Sequence, residues 1–248
     1  MNQSFFIGAV GAHQQLKRLS VQGNNIANVN SYGYKADKGR FSALMYDGVK
    51  NVEEEMLPTG VGTCLLTTDT DFRQGGGVDT GRPQDYMIEG DGFFAVVDLV
   101  TNQVSLTRNG AFSMASLERA GEDVDGDGNP IMEHIYYLSD GQGRFVLSES
   151  GSMIEMTDPK EPQAVGVFDY INYNGMEQIG GTRFIAVEKN GQLRRSESKV
   201  VNGMLEASNT DLAEELTKVI ESQRAYGMAL KMVQVSDEIE TTINGLRR

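Results

Sequence analysis

The chain of 248 residues has no tryptophan, one cysteine, two histidines and five prolines. A lone cysteine, Cys64, excludes an intramolecular disulfide. His13 and His134 are too few for a histidine-rich metal site. No apolar run approaches the ~20 residues that a membrane-spanning helix needs. The run from Phe5 to Ala12 has no basic residue before it, unlike a cleaved secretion signal. Positive charge is scarce, and the net charge is −13. A nucleic-acid partner, which requires a basic face, is therefore not expected. The deficit is uneven: residues 1–40 carry net +4, which leaves −17 for the remainder.

The recognisable arrangements of catalysis are also missing. There is no G-x-S-x-G and no G-x-x-x-x-G-K-[ST], and Cys64 has no basic neighbour in sequence. No carboxylate pair stands out for acid–base work. The expectation is a structural or binding protein, not an enzyme, with no cofactor. One acidic stretch, Asp123-Val124-Asp125-Gly126-Asp127-Gly128, matches the first half of an EF-hand loop. The twelfth position, however, is His134 where a bidentate Glu is required, and flanking helices are not evident. Asp123, Asp125 and Asp127 are thus a weak calcium candidate, and an acidic surface turn is the preferred reading.

Glycine, by contrast, is plentiful, at 29 residues. It bounds short β-type runs such as "GVGTCLLTTDTDF", "DYMIEGDGFFAVVD", "QVSLTRNGAF" and "AVGVFDYINY". Asn190-Gly191, between "TRFIAVEK" and "QLRR", predicts a hairpin. Both ends are helical in pattern. Asn2, Phe5, Ala9, Ala12, Leu16, Leu19, Gly23 and Ile26 follow alternating spacings of three and four, the seam of a helix that packs on another. At the far end, about 209–246, Ser208, Asn209 or Thr210 can cap a second helix. Leu212, Leu216, Val219, Tyr226, Leu230 and Val233 make one stripe, interrupted by Gln223. Met232, Val235, Ile239, Ile243 and Leu246 make another. Two stripes imply two packing partners, one of which can lie outside the chain. The expected class is α+β: a discontinuous coiled coil of residues 1–45 with 206–248, and a β-rich domain of 46–205.

Four stretches together resemble the bacterial flagellar rod and hook proteins. "NNIANVNSYGYK" is similar to the family's N-N-[LI]-A-N-x-x-T-x-G-[FY]-K, through Asn24, Asn25, Ile26, Ala27, Asn28, Gly33, Tyr34 and Lys35, with Ser31 for the usual Thr. "IEGDGFFAV" resembles I-x-G-x-G-F-F-x-V. "LTRNGAF" resembles Y-T-R-D-G-x-F, departing at Leu106 and Asn109. The segment from Leu205 resembles the family's closing helix and includes Gln223, Arg224, Ala225 and Tyr226.

The resemblance covers most of the chain and is weakest from Ser113 to Leu147, where the acidic loop is longer than the family's hairpin. It implies a self-assembling subunit of the flagellar basal-body rod, with terminal helices lining an axial channel and a β-rich outer layer. The tube would transmit torque and pass exported subunits. Implied partners are further copies, other rod and hook subunits, the flagellar type III export apparatus and, as a further candidate, the surrounding ring proteins. Implied assembly residues are Leu16, Leu19, Asn24, Asn25, Ile26, Asn28, Gly33, Leu212, Leu216, Val219, Gln223, Arg224 and Tyr226. The implied location is the basal body, reached by export without a cleaved signal. The length suits a rod subunit, of the distal type ahead of the proximal. A short hook-like protein or a calcium-stabilised surface or adhesion module are the alternatives.

Overall fold

The computed structural model describes residues 3–44, 47–50, 56–60, 62–124, 130–180 and 182–246. The fold is α+β, and the chain divides into two compact units. The first comprises residues 1–28, 36–71 and 210–248, the second 29–35 and 72–209. The boundary differs from the division at 45/46 and 205/206. Residues 36–71 belong with the helices because their strands pack on the first helix.

In the first unit, α1 spans Gln3–Ala27 and α2 spans Leu212–Leu246. The cap of α2 is Asp211, one residue beyond the expected candidates: its Oδ1 accepts from Ala213 N at 2.9 Å and Glu214 N at 3.2 Å. Strand Asp37–Ala43 pairs antiparallel with Thr63–Thr70, with a register shift between Arg40 and Phe41. Asp47–Lys50 pairs with Met56–Thr59.

The second unit is built on a nine-stranded sheet among the described residues. Its centre is Phe93–Asp98, flanked by Gln103–Thr107 and Arg144–Val146. Phe93 to Val96 are all fully buried, so this strand reads as a continuous apolar run. Alternate residues serve opposite faces. Phe94 and Val96 pack with Tyr86, Phe112 and Leu138, while Phe93 and Ala95 pack with Leu106, Phe168 and Phe184. Burying each such side chain contributes about 1.5–3 kcal/mol.

Two features differ from the sequence expectation. Asn190-Gly191 is no hairpin turn. Arg183–Ile185 pairs with Gln103–Thr107, and Arg194–Arg195 with Val167–Asp169. Asn190 turns inward: Nδ2 donates to Asn172 O and Asn174 O, and Oδ1 accepts from Val187 N. Three backbone partners hold it in the interior, which a two-residue turn at the surface would forfeit. The acidic stretch, for its part, follows a long strand and not a helix. Asp123 lies in Ser113–Val124, paired antiparallel with Pro130–Ser139, so a helix–loop–helix calcium site is not built there. Asp125 and Asp127 fall outside the described residues.

Candidate assembly surface

The two helices run antiparallel, and four contacts fix their register. Ser4 and Ser236 hydroxyls share a hydrogen bond of 3.0 Å. Gly8 lies against Val233 and Ala229, Gly11 against Ala229, and Arg18 Nη2 is 3.9 Å from Glu221. A Cβ on Gly8 would stand 3.0 Å from Val233 Cγ2 and 3.2 Å from Ala229 O, so glycine is what lets the backbones approach. The face of α2 turned inward repeats each heptad as Glu215, Ser222, Ala229 and Ser236, all buried or half-buried. That of α1 carries Ser4, Gly8, Gly11, Gln15 and Gln22.

This face is small and polar, and it is not the seam that the apolar periodicity indicated. Phe5, Ala9, Leu16 and Gly23 are exposed, Leu19 and Ile26 are half-buried, and only Ala12 is buried. The same inversion holds on α2. Leu212, Leu216 and Leu230 are exposed, and Val219, Tyr226 and Val233 are half-buried. Ile220, Met232, Val235, Ile239, Ile243 and Leu246 are exposed, as are Gln223 and Arg224. Small residues win the inner face because close packing needs no bulk there, and the large apolar residues are left outside. A soluble pair normally does the opposite. So long an exposed apolar surface is a candidate interaction surface.

The Asn-rich segment does three different jobs. At the end of α1, Asn28 N bonds Asn24 O at 3.2 Å, while Asn28 Nδ2 donates to Asn24 O at 2.9 Å and to Asn24 Oδ1 at 3.1 Å. These two asparagines close the helix terminus and satisfy a carbonyl left over there. Asn25, 1% exposed, reaches the strand instead. Its Nδ2 donates to Asp37 O and its Oδ1 accepts from Asp37 N, both at 2.9 Å. Gln14 acts alike, its Oε1 accepting from Leu65 N at 2.9 Å. Two buried amides on α1 thus sew both strands to the helix.

The rest of the segment belongs to the second unit. Gly33 has φ +67°, and a Cβ there would lie 2.3 Å from Asn109 N, so no other residue fits. Its N–H donates to Glu206 O at 2.7 Å. Lys35, 1% exposed, places Nζ 2.6 Å from Glu206 Oε1 and 2.8 Å from Arg73 O. Glu206 Oε1 also accepts from Gly75 N at 2.8 Å, and Oε2 from Arg108 Nη1 at 3.2 Å. Arg108 Nη2 donates to Gly90 O at 2.7 Å, and the guanidinium lies over Phe93, 5.3 Å from the ring centroid. Lys35, Arg108, Gly90 and Glu206 come from the four separate motifs of the sequence, joined at one buried ion cluster. Sequence reading missed it. The only signal was a lone basic residue in each of two motifs, Lys35 in "NNIANVNSYGYK" and Arg108 in "LTRNGAF"; nothing in the charge-rich closing segment singles out Glu206.

Among the described residues no cluster of His, Cys, Asp or Glu is placed to hold a metal ion. No helix there is long and apolar enough to cross a membrane.

Two family models match the chain: a flagella basal body rod protein model over residues 7–35, and a flagellar basal body rod FlgEFG protein C-terminal model over 201–246. The "Flagellar basal-body rod protein FlgG" of Borreliella burgdorferi is 30% identical, with 100% of each chain covered. That of Bacillus subtilis is 27% identical, again over 100% of each. The "Flagellar basal-body rod protein FlgF" of Salmonella typhimurium is 26% identical over 99% of this chain and 98% of its own.

Proposed function

Since the chain belongs to the flagellar basal-body rod protein family, and is a structural rather than enzymatic rod subunit most like the distal rod protein, we propose that its paired terminal helices form the inner, channel-lining layer of a hollow axial tube. The outward apolar residues of that pair are its contacts with neighbouring copies. Leu16, Leu212, Leu216, Gln223 and Arg224 are exposed and ready to serve; Leu19, Ile26, Val219 and Tyr226 contribute their half-open edges. Asn24, Asn25, Asn28 and Gly33 act from behind, fixing the helix end and the chain's turn. In the tube, the β-rich unit is the outer layer, torque passes through the interlocked subunits, and the lumen carries exported chains. Other rod and hook subunits adjoin it, and surrounding rings are further partners.

We further infer export through the flagellar type III apparatus without cleavage. The apparatus would pass an unfolded chain, and one cysteine leaves no disulfide to obstruct it. The exposed apolar stripe gains most of its burial only on assembly, at an entropic cost of ordering.

The observation that carries this reading is the inverted helix pair, polar within and apolar without. The test is polymerisation of full-length chain carrying Ile220→Glu, Met228→Glu and Ile239→Glu, followed by sedimentation. All three positions are exposed. The expected result is a folded monomer with unchanged melting temperature that forms no polymers. Polymers as abundant as those of the unsubstituted chain would overturn the reading.

A further inference from the structure

The second unit holds a polar pocket of about 290 Å³. Gly33 seats against Asn109, which carries the stretch from Asn30 to Tyr32 past the end of strand Gln103–Thr107. That stretch lines the pocket together with Asn109, Asp140, Gln142, Arg144 and Arg183, and the Tyr32 ring lies open to solvent there.

The charge of this pocket is not closed within the chain. Among the side chains described in the second unit, four cations are buried or half-buried: Lys35, Arg108, Arg144 and Arg183. Glu206 meets the first two and Asp140 the third. Arg183 has neither an ion pair nor a hydrogen bond to its guanidinium. Asp140 is fully engaged elsewhere. Its Oδ2 accepts from Arg144 Nε at 2.6 Å, and its Oδ1 from Gln142 N at 2.9 Å and Arg144 N at 3.3 Å. Asp98, the other carboxylate whose field reaches Arg183, is outside the lining and accepts from Val100 N at 2.9 Å. Burial, and then the neighbouring Arg144 cation, lower the pKa of Arg183 from its ordinary value against the pull of both carboxylates. A guanidinium stays charged nonetheless. The ionised groups of the lining are Arg144, Arg183 and Asp140, so one positive charge is left over.

The neutral groups ask for an acceptor too. Asn109 Oδ1 accepts from Ala111 N at 3.1 Å, and Gln142 Oε1 from Arg144 Nη2 at 2.7 Å. Their amino groups are then the free ends, and both are donors. A guanidinium beside amide donors fits a carboxylate, whose two oxygens match its fork. A phosphate dianion would leave a negative charge unbalanced beside Asp140. Asn109 is also where the charge was opened. The pattern that "LTRNGAF" resembles, Y-T-R-D-G-x-F, has aspartate at this position.

The chain's own balance supplies the occupant. Its 35 acidic residues outnumber its 22 basic ones, so copies brought together are rich in carboxylates and short of cations to meet them. We propose that this pocket binds a carboxylate, and that in the rod the carboxylate is an acidic side chain of a neighbouring copy. The source rests on the rod-subunit reading above; the chemistry does not.

Both parts are tested in full-length chain. For the chemistry, the Nε–H resonance of Arg183 is followed by NMR as sodium acetate replaces sodium chloride at constant ionic strength. A saturating shift is expected. Asn109→Asp, which keeps the acceptor for Ala111 N and supplies a carboxylate from within, abolishes it. For the source, chain carrying Arg183→Lys is polymerised and treated with a carbodiimide, which joins an amine to a carboxylate in contact with it. The expected yield of links between copies through the new amine is about tenfold above that of Ile171→Lys, an exposed position of the same unit. Adding Asn109→Asp turns the link inward and removes the excess. Polymers without that excess overturn the proposal and leave the rod reading standing. An Arg183 resonance that acetate moves no more than chloride does overturns it whether or not polymers form. A saturating shift in a chain that never polymerises would keep the carboxylate site, its ligand then being a free carboxylate, and sink the rod reading.

Discussion

The two units of this chain handle apolar surface in opposite ways. The second encloses Phe93, Phe94, Val96, Phe112, Leu138, Val146 and Phe184 at 4% exposure or less. In the first, the only fully buried apolar residues among those described are Ala12 and Ala36, while Phe6, Leu216, Ile220, Met228, Met232 and Ile243 stand 46% exposed or more. Among the described residues, four of the six buried side-chain polar atoms without a hydrogen-bond partner also lie in the first unit. One unit is finished as a monomer. The other places small and polar residues at its internal contact and leaves its large apolar ones exposed. Under the proposed function this division has a use: a subunit that travels singly and then polymerises would need an anchor that is stable alone and a surface whose burial is deferred.

The comparison breaks hardest at Glu206. Glu206→Gln leaves Lys35 and Arg108 buried beside each other without their carboxylate. Removing one partner of a buried ion cluster costs about 3–5 kcal/mol. The expected outcome is a large drop in the urea midpoint, with amide protons of Phe93–Asp98 and Gln103–Thr107 losing protection. Unchanged protection there would mean that the cluster does not hold the finished unit together.

That cluster also marks the limit of what the sequence could tell. The helices were legible from periodicity, and the β-rich middle from its glycine-bounded runs. The motifs were legible as a set. Their reason was not, because Lys35 and Glu206 are 171 residues apart and Arg108 and Glu206 are 98 apart. No local pattern announces a partner at that range. The seam of α1 was misread for a different reason. Apolar spacing says which residues need burial, not which chain supplies it. Gly8 and Gly11, which apolar periodicity passes over, are the contact. Asn25, implied only as an assembly residue, bridges through its amide to the strand at Asp37.

A glycine pair sharpens the distinction between the inner and outer faces at smaller cost. Gly8→Val would overpack the helix contact, at about 1–3 kcal/mol. Gly23→Ala meets nothing within 4 Å and should gain about 0.5–1 kcal/mol from helix propensity. Amide exchange of residues 3–27 reads both. Faster exchange for the first and slower for the second is expected, and slower exchange for both would move the contact off Gly8.

The smallest effect separates burial from charge at Asp37. Burial raises its pKa, against the hydrogen bond that Thr70 Oγ1 donates at 2.9 Å. A carboxyl whose folded pKa is raised binds its proton more tightly in the fold than in the unfolded chain. Its contribution is therefore fully present below the unfolded value, near 3.9, and is lost as pH rises through the raised folded value. At neutral pH the first unit carries a half-buried anion at a cost. Asp37→Asn keeps an acceptor for Thr70 Oγ1 and removes the charge, so stability at pH 7 should rise by a few tenths of a kcal/mol, typical of a mild substitution. The difference between variant and parent should shrink toward zero as pH falls through the carboxylate range. If it grows on acidification instead, the ionised carboxylate is favourable at this site, and the helix–strand junction is held by charge as well as by the amide of Asn25.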